Sequence, residues 1–135
     1  ENIVLKTADD LFNFAKHFAQ TLRDGDVLVL SGDLGAGKTA FTKGLASGLG
    51  ITEEITSPSY PIVIEYDADL PLYHFDLYRL EDINQLTNIG FYDYLQKTGI
   101  CVIEWGEKFL KAIPNNAKFL NFKILEDQSR MLTIR

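Results

Sequence analysis

A glycine-rich segment near residue 35 has the composition and spacing of a phosphate-binding loop. Gly32 and the run Gly37-Lys38-Thr39 match the pattern G-x-x-x-x-G-K-[ST]. Glycines let the backbone turn tightly and present its N–H groups to phosphate oxygens. We expect Lys38 to contact the β- and γ-phosphates of a nucleotide and the Thr39 hydroxyl to bind Mg²⁺. The predicted nucleotide-binding residues of this segment are Gly32, Asp33, Leu34, Gly35, Ala36, Gly37, Lys38, Thr39 and Ala40.

Two acidic residues further along the chain are candidates for catalysis. Asp76 and His74 are two residues apart in an apolar segment, so the period of a strand places both on one face. From these residues alone the face is either functional or merely polar and exposed. Glu104 ends the apolar run that begins at Ile100, which is the pattern of a Walker B strand whose carboxylate holds Mg²⁺. Trp105 is either a core anchor or a neighbour of the nucleotide site.

The elements that must position the loop can be predicted from apolar runs and caps. Residues 26–31 predict a buried strand that leads into the loop, and residues 39–49 predict a helix that ends at glycines. Thr7 is expected to cap an earlier amphipathic helix of about four turns, which ends at Asp24-Gly25.

Downstream segments alternate between extended and irregular patterns. Residues 62–66 and 72–79 predict a hairpin, and strand parity then places Arg79 on the face opposite Asp76 unless the strand ends before it. Residues 51–61 contain two prolines and form either a switch-like loop or an ordinary connector. Residues 117–125 and 130–135 predict two further strands.

Composition narrows the classes of function. A chain of 135 residues predicts one domain, here residues 1–135. The net charge of −6 argues against a broad nucleic-acid-binding surface. No apolar run approaches the roughly 20 residues that span a bilayer, so we expect no membrane partner. The single cysteine, Cys101, lies in an apolar run and fits a buried core residue of a cytoplasmic protein.

Four motifs in this order resemble the TsaE (YjeE) ATPases, small bacterial proteins of tRNA modification. They are the P-loop ending at Lys38-Thr39, Ser57-Pro58-Ser59-Tyr60, His74-Phe75-Asp76-Leu77-Tyr78-Arg79 and Ile103-Glu104-Trp105-Gly106. The P-loop is generic, but its combination with H-x-D-x-Y-R and E-W is specific, and the resemblance covers nearly the whole chain. It implies an α/β, P-loop NTPase-type three-layer fold with a mainly parallel sheet and an added antiparallel hairpin.

The resemblance also implies activity, partners and residue roles. Such a protein binds ATP and Mg²⁺, hydrolyses ATP slowly alone, and acts with TsaB and TsaD to form threonylcarbamoyladenosine at position 37 of tRNA. Lys38, Asp76 and Glu104 then become the catalytic residues, with Thr39 and Glu104 as Mg²⁺ ligands. Trp105 and Ser59 are expected at the nucleotide, although Ser59 replaces the threonine usual in S-P-T-[FY]. Contact with tRNA is expected only through the complex.

Three other functions agree less well with the sequence. A small-molecule kinase usually has an arginine-bearing lid, and the four arginines here do not cluster. A GTPase usually contains N-K-x-D, which is absent from the sequence. A nucleotide-dependent binding module, in which hydrolysis is incidental, differs from the ATPase only in whether turnover matters.

Overall fold

In the computed structural model, which describes residues 1–33, 35–58 and 62–135, one mixed sheet runs through the chain. Its seven strands lie in the order β1-β7-β6-β2-β5-β4-β3. They are β1 (Asn2–Leu5), β2 (Val27–Gly32), β3 (Val63–Tyr66), β4 (Leu72–Asp76), β5 (Ile100–Glu104), β6 (Lys118–Ile124) and β7 (Arg130–Ile134). The helices are α1 (Ala8–Phe18), α2 (Lys38–Gly48), α3 (Asn84–Asn88) and α4 (Phe91–Gln96). Residues Ala19–Thr21 and Gly106–Ala112 form 3₁₀ turns.

The four central strands, β6, β2, β5 and β4, are parallel to one another. Antiparallel partners flank them: β3 pairs with β4 at one side, and β7 and then β1 follow β6 at the other. The predicted hairpin of β3 and β4 is therefore confirmed. Because parallel strands end at the same edge, the carboxyl ends of β2, β4 and β5 meet.

Apolar residues alternate along the central strands and build a core on each face of the sheet. Leu28 and Leu30 pack against α1 and α2, whereas Val27 and Val29 belong to the cluster of the opposite face, with Phe91 of α4. Central parallel strands are buried on both faces, which explains their nearly continuous apolar sequence. The predicted three-layer α/β fold is confirmed.

Local sequence accounts for the helix that supports the P-loop. The Thr7 hydroxyl accepts a hydrogen bond from the Asp10 N–H and caps α1, as predicted. Leu11 and Ala15 then bury one face of α1 against α2. None of the described helices is long and apolar enough to cross a membrane.

Candidate functional site

The P-loop links β2 to the N-terminus of α2. Gly37 is the N-cap residue of α2 at φ 112°, a left-handed conformation that favours glycine, and it has no side chain that could cap the helix. A Cβ at position 37 would lie 2.3 Å from Leu11 Cδ2 of α1. The first N–H groups of α2 and the positive end of the helix dipole are therefore suited to an anion such as phosphate.

Lys38 is held at the centre of the site by three groups. Its Nζ donates a hydrogen bond to the Gly32 carbonyl at 2.9 Å and lies 3.8 Å from Glu104 Oε1. It also lies 5.7 Å from the centre of the Trp105 ring. The ammonium group is thus placed beside the P-loop and between the carboxyl ends of β2 and β5.

Two carboxylates lie side by side where β4 and β5 end. Asp76 and Glu104 are in register on these neighbouring parallel strands, so their side chains leave the same face of the sheet. Asp76 Oδ1 accepts a hydrogen bond from the Tyr78 N–H at 3.0 Å, and Glu104 Oε2 lies 2.8 Å from His74 Nε2. Like charges so placed repel each other unless cations lie close by.

These groups open into one cavity of about 940 Å³, a volume in the range of small-molecule sites. The P-loop and α2 form one wall, the ends of β4 and β5 form another, and residues 55–57 approach from the preceding loop. The lining residues are Ala8, Gly35, Gly37, Lys38, Thr39, Ala40, Ile55, Thr56, Ser57, His74, Asp76, Tyr78, Arg79, Glu104, Trp105 and Arg130. A P-loop lysine and two acids facing one cavity are the arrangement of a nucleotide phosphate site.

Comparison with known proteins identifies the family. The sequence pattern of the family described as "Threonylcarbamoyl adenosine biosynthesis protein TsaE" matches residues 5–132. The chain belongs to the TsaE family.

Two relatives and one solved structure illustrate how far the similarity extends. The tRNA threonylcarbamoyladenosine biosynthesis protein TsaE of Treponema pallidum is 41% identical over 131 residues, which is 97% of each chain. The protein of the same name from Bacillus subtilis is 44% identical over 120 residues, which covers 88% of this chain and 75% of that protein. The crystal structure of Bacillus subtilis YdiB superposes with a TM-score of 0.85 at 36% identity, covering 99% of this chain and 83% of that one.

Most of the residues expected from the TsaE resemblance come together. Gly35, Gly37, Lys38, Thr39, Ala40, Asp76, Glu104 and Trp105 line the cavity. Gly32, Asp33 and Ala36 do not line it: Ala36 is fully buried, and the Asp33 carbonyl accepts a hydrogen bond from the Ala36 N–H. Leu34 and Ser59 lie outside the described residues. The individual nucleotide contacts of all these residues remain predictions.

Arg79 lies beyond the end of its strand, which is the case in which parity does not separate it from Asp76. A continuing strand would put it opposite Asp76, but β4 ends at Asp76, and the chain turns there. Arg79 consequently lines the same cavity as Asp76. Parity holds only while a strand continues, and here the Tyr78 N–H bonds to the Asp76 side chain immediately beyond the strand.

Two further lining residues were missed by sequence reasoning. Ala8 begins α1 and Arg130 begins β7, so each reaches the cavity through tertiary structure. Neither belongs to a motif, and no local pattern indicates them. Their proximity follows from the pairing of β1 with β7, in which Leu5 is the partner of Arg130.

Tyr78 lines the cavity of this TsaE-family chain and is also exposed on the outer surface. The Tyr78 ring packs against the Trp105 ring at a centroid distance of 4.9 Å. Lys108 Nζ donates to the carbonyl oxygens of Tyr78 and Leu80 at 2.6 and 2.7 Å, which fastens the segment after β4 to the 3₁₀ turn after β5. Trp105 is partly buried against the core and lines the cavity, and its place beside a bound nucleotide remains a prediction.

The residues present suit a magnesium ion bound together with nucleotide phosphates. No group of three or more His, Cys, Asp or Glu residues within the described ranges could hold a metal without other ligands. The cavity instead brings the Thr39 hydroxyl and the carboxylates of Asp76 and Glu104 to one space. Mg²⁺ usually takes one or two protein oxygens and completes its shell with phosphate and water, which this oxygen set fits.

Proposed function

We propose that this chain, as a single P-loop domain over residues 1–135, binds and hydrolyses ATP with Mg²⁺ in the synthesis of tRNA threonylcarbamoyladenosine at position 37. Relatives that share 41–44% of its sequence are named for that pathway. The main structural support is the register of Asp76 and Glu104 beside Lys38, because it puts two carboxylates and one ammonium group at the end of the P-loop.

Each residue has a defined task in this proposal. The N–H groups at the start of α2 bind phosphate oxygens, and Lys38 moves its hydrogen bond from the Gly32 carbonyl to the β- and γ-phosphates. Thr39 and Glu104 would hold Mg²⁺, which would neutralise charge on the phosphates. Asp76 accepts a hydrogen bond from the attacking water and orients it toward the terminal phosphate.

We further propose that TsaB and TsaD are the partners and that hydrolysis resets their complex between turnovers. The transfer of the threonylcarbamoyl group belongs to TsaD in this scheme, and tRNA is reached through the partners in the cytoplasm. Tyr78 is 60% exposed although it packs on Trp105, so a protein bound over it would contact a wall of the nucleotide cavity. This contact offers a physical route from partner binding to ATP turnover.

The test measures ATP turnover of the chain alone and with purified TsaB and TsaD. We expect a rise with the partners that Lys38→Ala abolishes. Asp76→Asn should lower turnover by roughly a hundredfold or more while ATP affinity changes little, because the residue acts on the water rather than on the nucleotide.

Two results would contradict the proposal. Unchanged turnover in Asp76→Asn would remove the role of that carboxylate. Tight ATP binding with no partner-dependent rise, together with an Asp76→Asn variant that still supports modification by the complex, would favour a binding module in which hydrolysis is incidental.

A further inference from the structure

A buried histidine lies directly behind the proposed magnesium ligand. His74 is in register with Val102, two residues before Glu104 on the neighbouring strand, so both side chains leave the same face of the sheet. The His74 side chain is 3% exposed, and its Nε2 lies 2.8 Å from Glu104 Oε2. The contact joins the middle of β4 to the end of β5.

The chemistry of the two groups defines the direction of this hydrogen bond. An ionised carboxylate has only acceptors, so the imidazole nitrogen that faces it must carry the proton. Nε2–H therefore donates to Oε2, while Lys38 Nζ lies 3.8 Å from the other oxygen, Oε1. Glu104 is thus held at both oxygens, by one group on β4 and one on α2.

We infer that His74 is a positioning residue that fixes the Glu104 carboxylate for Mg²⁺, an inference that rests on the proposed function. Lys38 is expected to turn to the phosphates when ATP binds, and His74 is then the group that still restrains Glu104. Hydrogen bonds to ligating carboxylates orient them, and their removal typically weakens metal binding about 10- to 100-fold.

The surroundings of the ring argue against a role in packing alone. Leu72, two residues earlier on the same face of β4, is fully buried and apolar, so this face does not of itself require a polar side chain. His74 Nδ1 is instead buried without a hydrogen-bond partner among the described residues. Burying an unpaired polar atom is unfavourable, so the hydrogen bond to Glu104 is the feature that distinguishes histidine from leucine here.

The first experiment examines the hydrogen bond without nucleotide or metal. In ¹⁵N-histidine NMR spectra of the chain, His74 should carry a proton on Nε2. His17, which is exposed and contacts the Asn13 carbonyl through Nδ1, serves as the internal reference. Glu104→Ala should leave His17 unchanged and convert His74 to a mixture of tautomers. A mixture already present in the unaltered chain would overturn the inference.

The second experiment measures ATP affinity by calorimetry, with Mg²⁺ and with EDTA. The ratio of the two affinities is the gain due to Mg²⁺, which is compared between the unaltered chain and its variants. His74→Leu should reduce this gain about tenfold or more, with affinity in EDTA nearly unchanged. His74→Gln, which retains an N–H donor of similar reach, should recover most of it. Tyr73→Phe is the matched control, because it removes the hydrogen bond to the Thr98 carbonyl from the opposite face of β4.

The outcomes separate this inference from the proposed function. Equal gains from Mg²⁺ in the unaltered chain and in His74→Leu would overturn the role of His74 alone. No gain in the unaltered chain would overturn the magnesium-dependent function, whatever the NMR spectra show. If His74→Leu does not fold, failure of His74→Gln to retain the gain, with a normal Tyr73→Phe, would overturn the inference.

Discussion

Lys38 illustrates how a motif residue obtains its position from tertiary contacts. The Gly32 carbonyl and the Glu104 carboxylate hold its ammonium group in a site where its side chain is only 12% exposed. These partners come from its own loop and from a strand 66 residues later in the chain. The cation is therefore already beside the P-loop and need only exchange one oxygen partner for another when phosphate binds.

Replacing Lys38 should weaken ATP binding much more than replacing a surface lysine of the same helix. Lys38→Ala removes charge-assisted hydrogen bonds, each of about 1.5–3 kcal/mol, so we expect roughly a 10- to 100-fold loss of affinity. Lys43→Ala is the matched control, since Lys43 is exposed on α2. Calorimetric titration of both variants with Mg²⁺ and ATP makes the comparison. Equal affinities of Lys38→Ala and Lys43→Ala for ATP would exclude Lys38 as a phosphate ligand.

Cys101 should be unreactive in the folded chain. It is buried in β5, and burial raises the pKa of its thiol from 9.0 to about 12. The thiolate is the reacting form, so iodoacetamide at pH 8 should modify the native chain far more slowly than the chain in denaturant. Comparable rates in the two conditions would show that Cys101 is accessible.

The same pKa shift predicts how stability depends on pH. The folded state binds the Cys101 proton more tightly than the unfolded state, so its contribution is complete below pH 9 and is lost as the pH rises toward 12. Cys101→Ala removes this contribution. The unaltered chain should therefore lose unfolding free energy relative to Cys101→Ala between pH 9 and pH 11. Urea titrations of both proteins at several pH values can measure this loss.

At the scale of elements, the close contact between α1 and α2 places the P-loop. Gly44 of α2 lies directly against α1: a Cβ at this position would be 2.3 Å from the Phe12 carbonyl oxygen and 2.7 Å from Ala15 Cβ. One turn later, a Cβ at Gly48 would lie 2.5 Å from the Lys16 carbonyl oxygen. Two glycines on one stripe of α2 thus allow the helices to approach closely.

Gly44→Ala should destabilise the chain even though alanine favours helices. The gain in helix propensity is about 1 kcal/mol, whereas overpacking against a backbone oxygen costs about 1–3 kcal/mol and displaces α1. We expect a net loss of about 1 kcal/mol and a lower melting temperature. Lys43→Ala, one residue away on the exposed side, should stay within about 0.5 kcal/mol of the parent. An increase in stability for Gly44→Ala would contradict this packing.

The elements near the site could be predicted wherever their signals are local. The strand–loop–helix around Gly37, the capped helix after Thr7 and the acid at the end of β5 each depend on neighbouring residues, and each was found. The end of β4 was misplaced because it depends on a turn: Leu77 donates its N–H to the Glu104 carbonyl at 3.0 Å, which no pattern in residues 72–79 indicates. The glycine stripe of α2 was not predicted either, because glycine spacing alone does not name the helix that it meets.

At the scale of the whole molecule, strand order brings distant segments into one cavity. Residues 38, 76, 104 and 130 reach it because β2, β4 and β5 end together and β7 pairs with β1. Sequence reasoning singled out the first three from the P-loop pattern, the strand face shared with His74 and the acid that ends an apolar strand, and the family motifs added their roles. It missed Arg130, because the approach of β7 to the start of α1 is a property of topology rather than of any segment.

Charge distribution gives a final prediction at this scale: the chain alone should bind tRNA poorly. Its 13 Lys and Arg residues are outnumbered by 19 Asp and Glu residues, so its net charge of −6 repels a polyanion. Fluorescence anisotropy with labelled tRNA at about 150 mM salt should give a dissociation constant weaker than about 100 μM, the weak end of nonspecific binding. The same tRNA mixed with TsaB, TsaD and this chain tests the contact through partners that the proposed function expects.

Salt dependence decides how a positive result must be interpreted. If the isolated chain binds tRNA in the micromolar range, and affinity falls steeply as salt rises, then a local cluster of cations contacts the phosphate backbone despite the net charge of −6. Lys111→Ala would then be the first variant to examine, because Lys111 borders a surface groove of about 370 Å³ beside the segment that follows Glu104. Weak binding at all salt concentrations, with tight binding by the complex, would agree with tRNA contact through the partners.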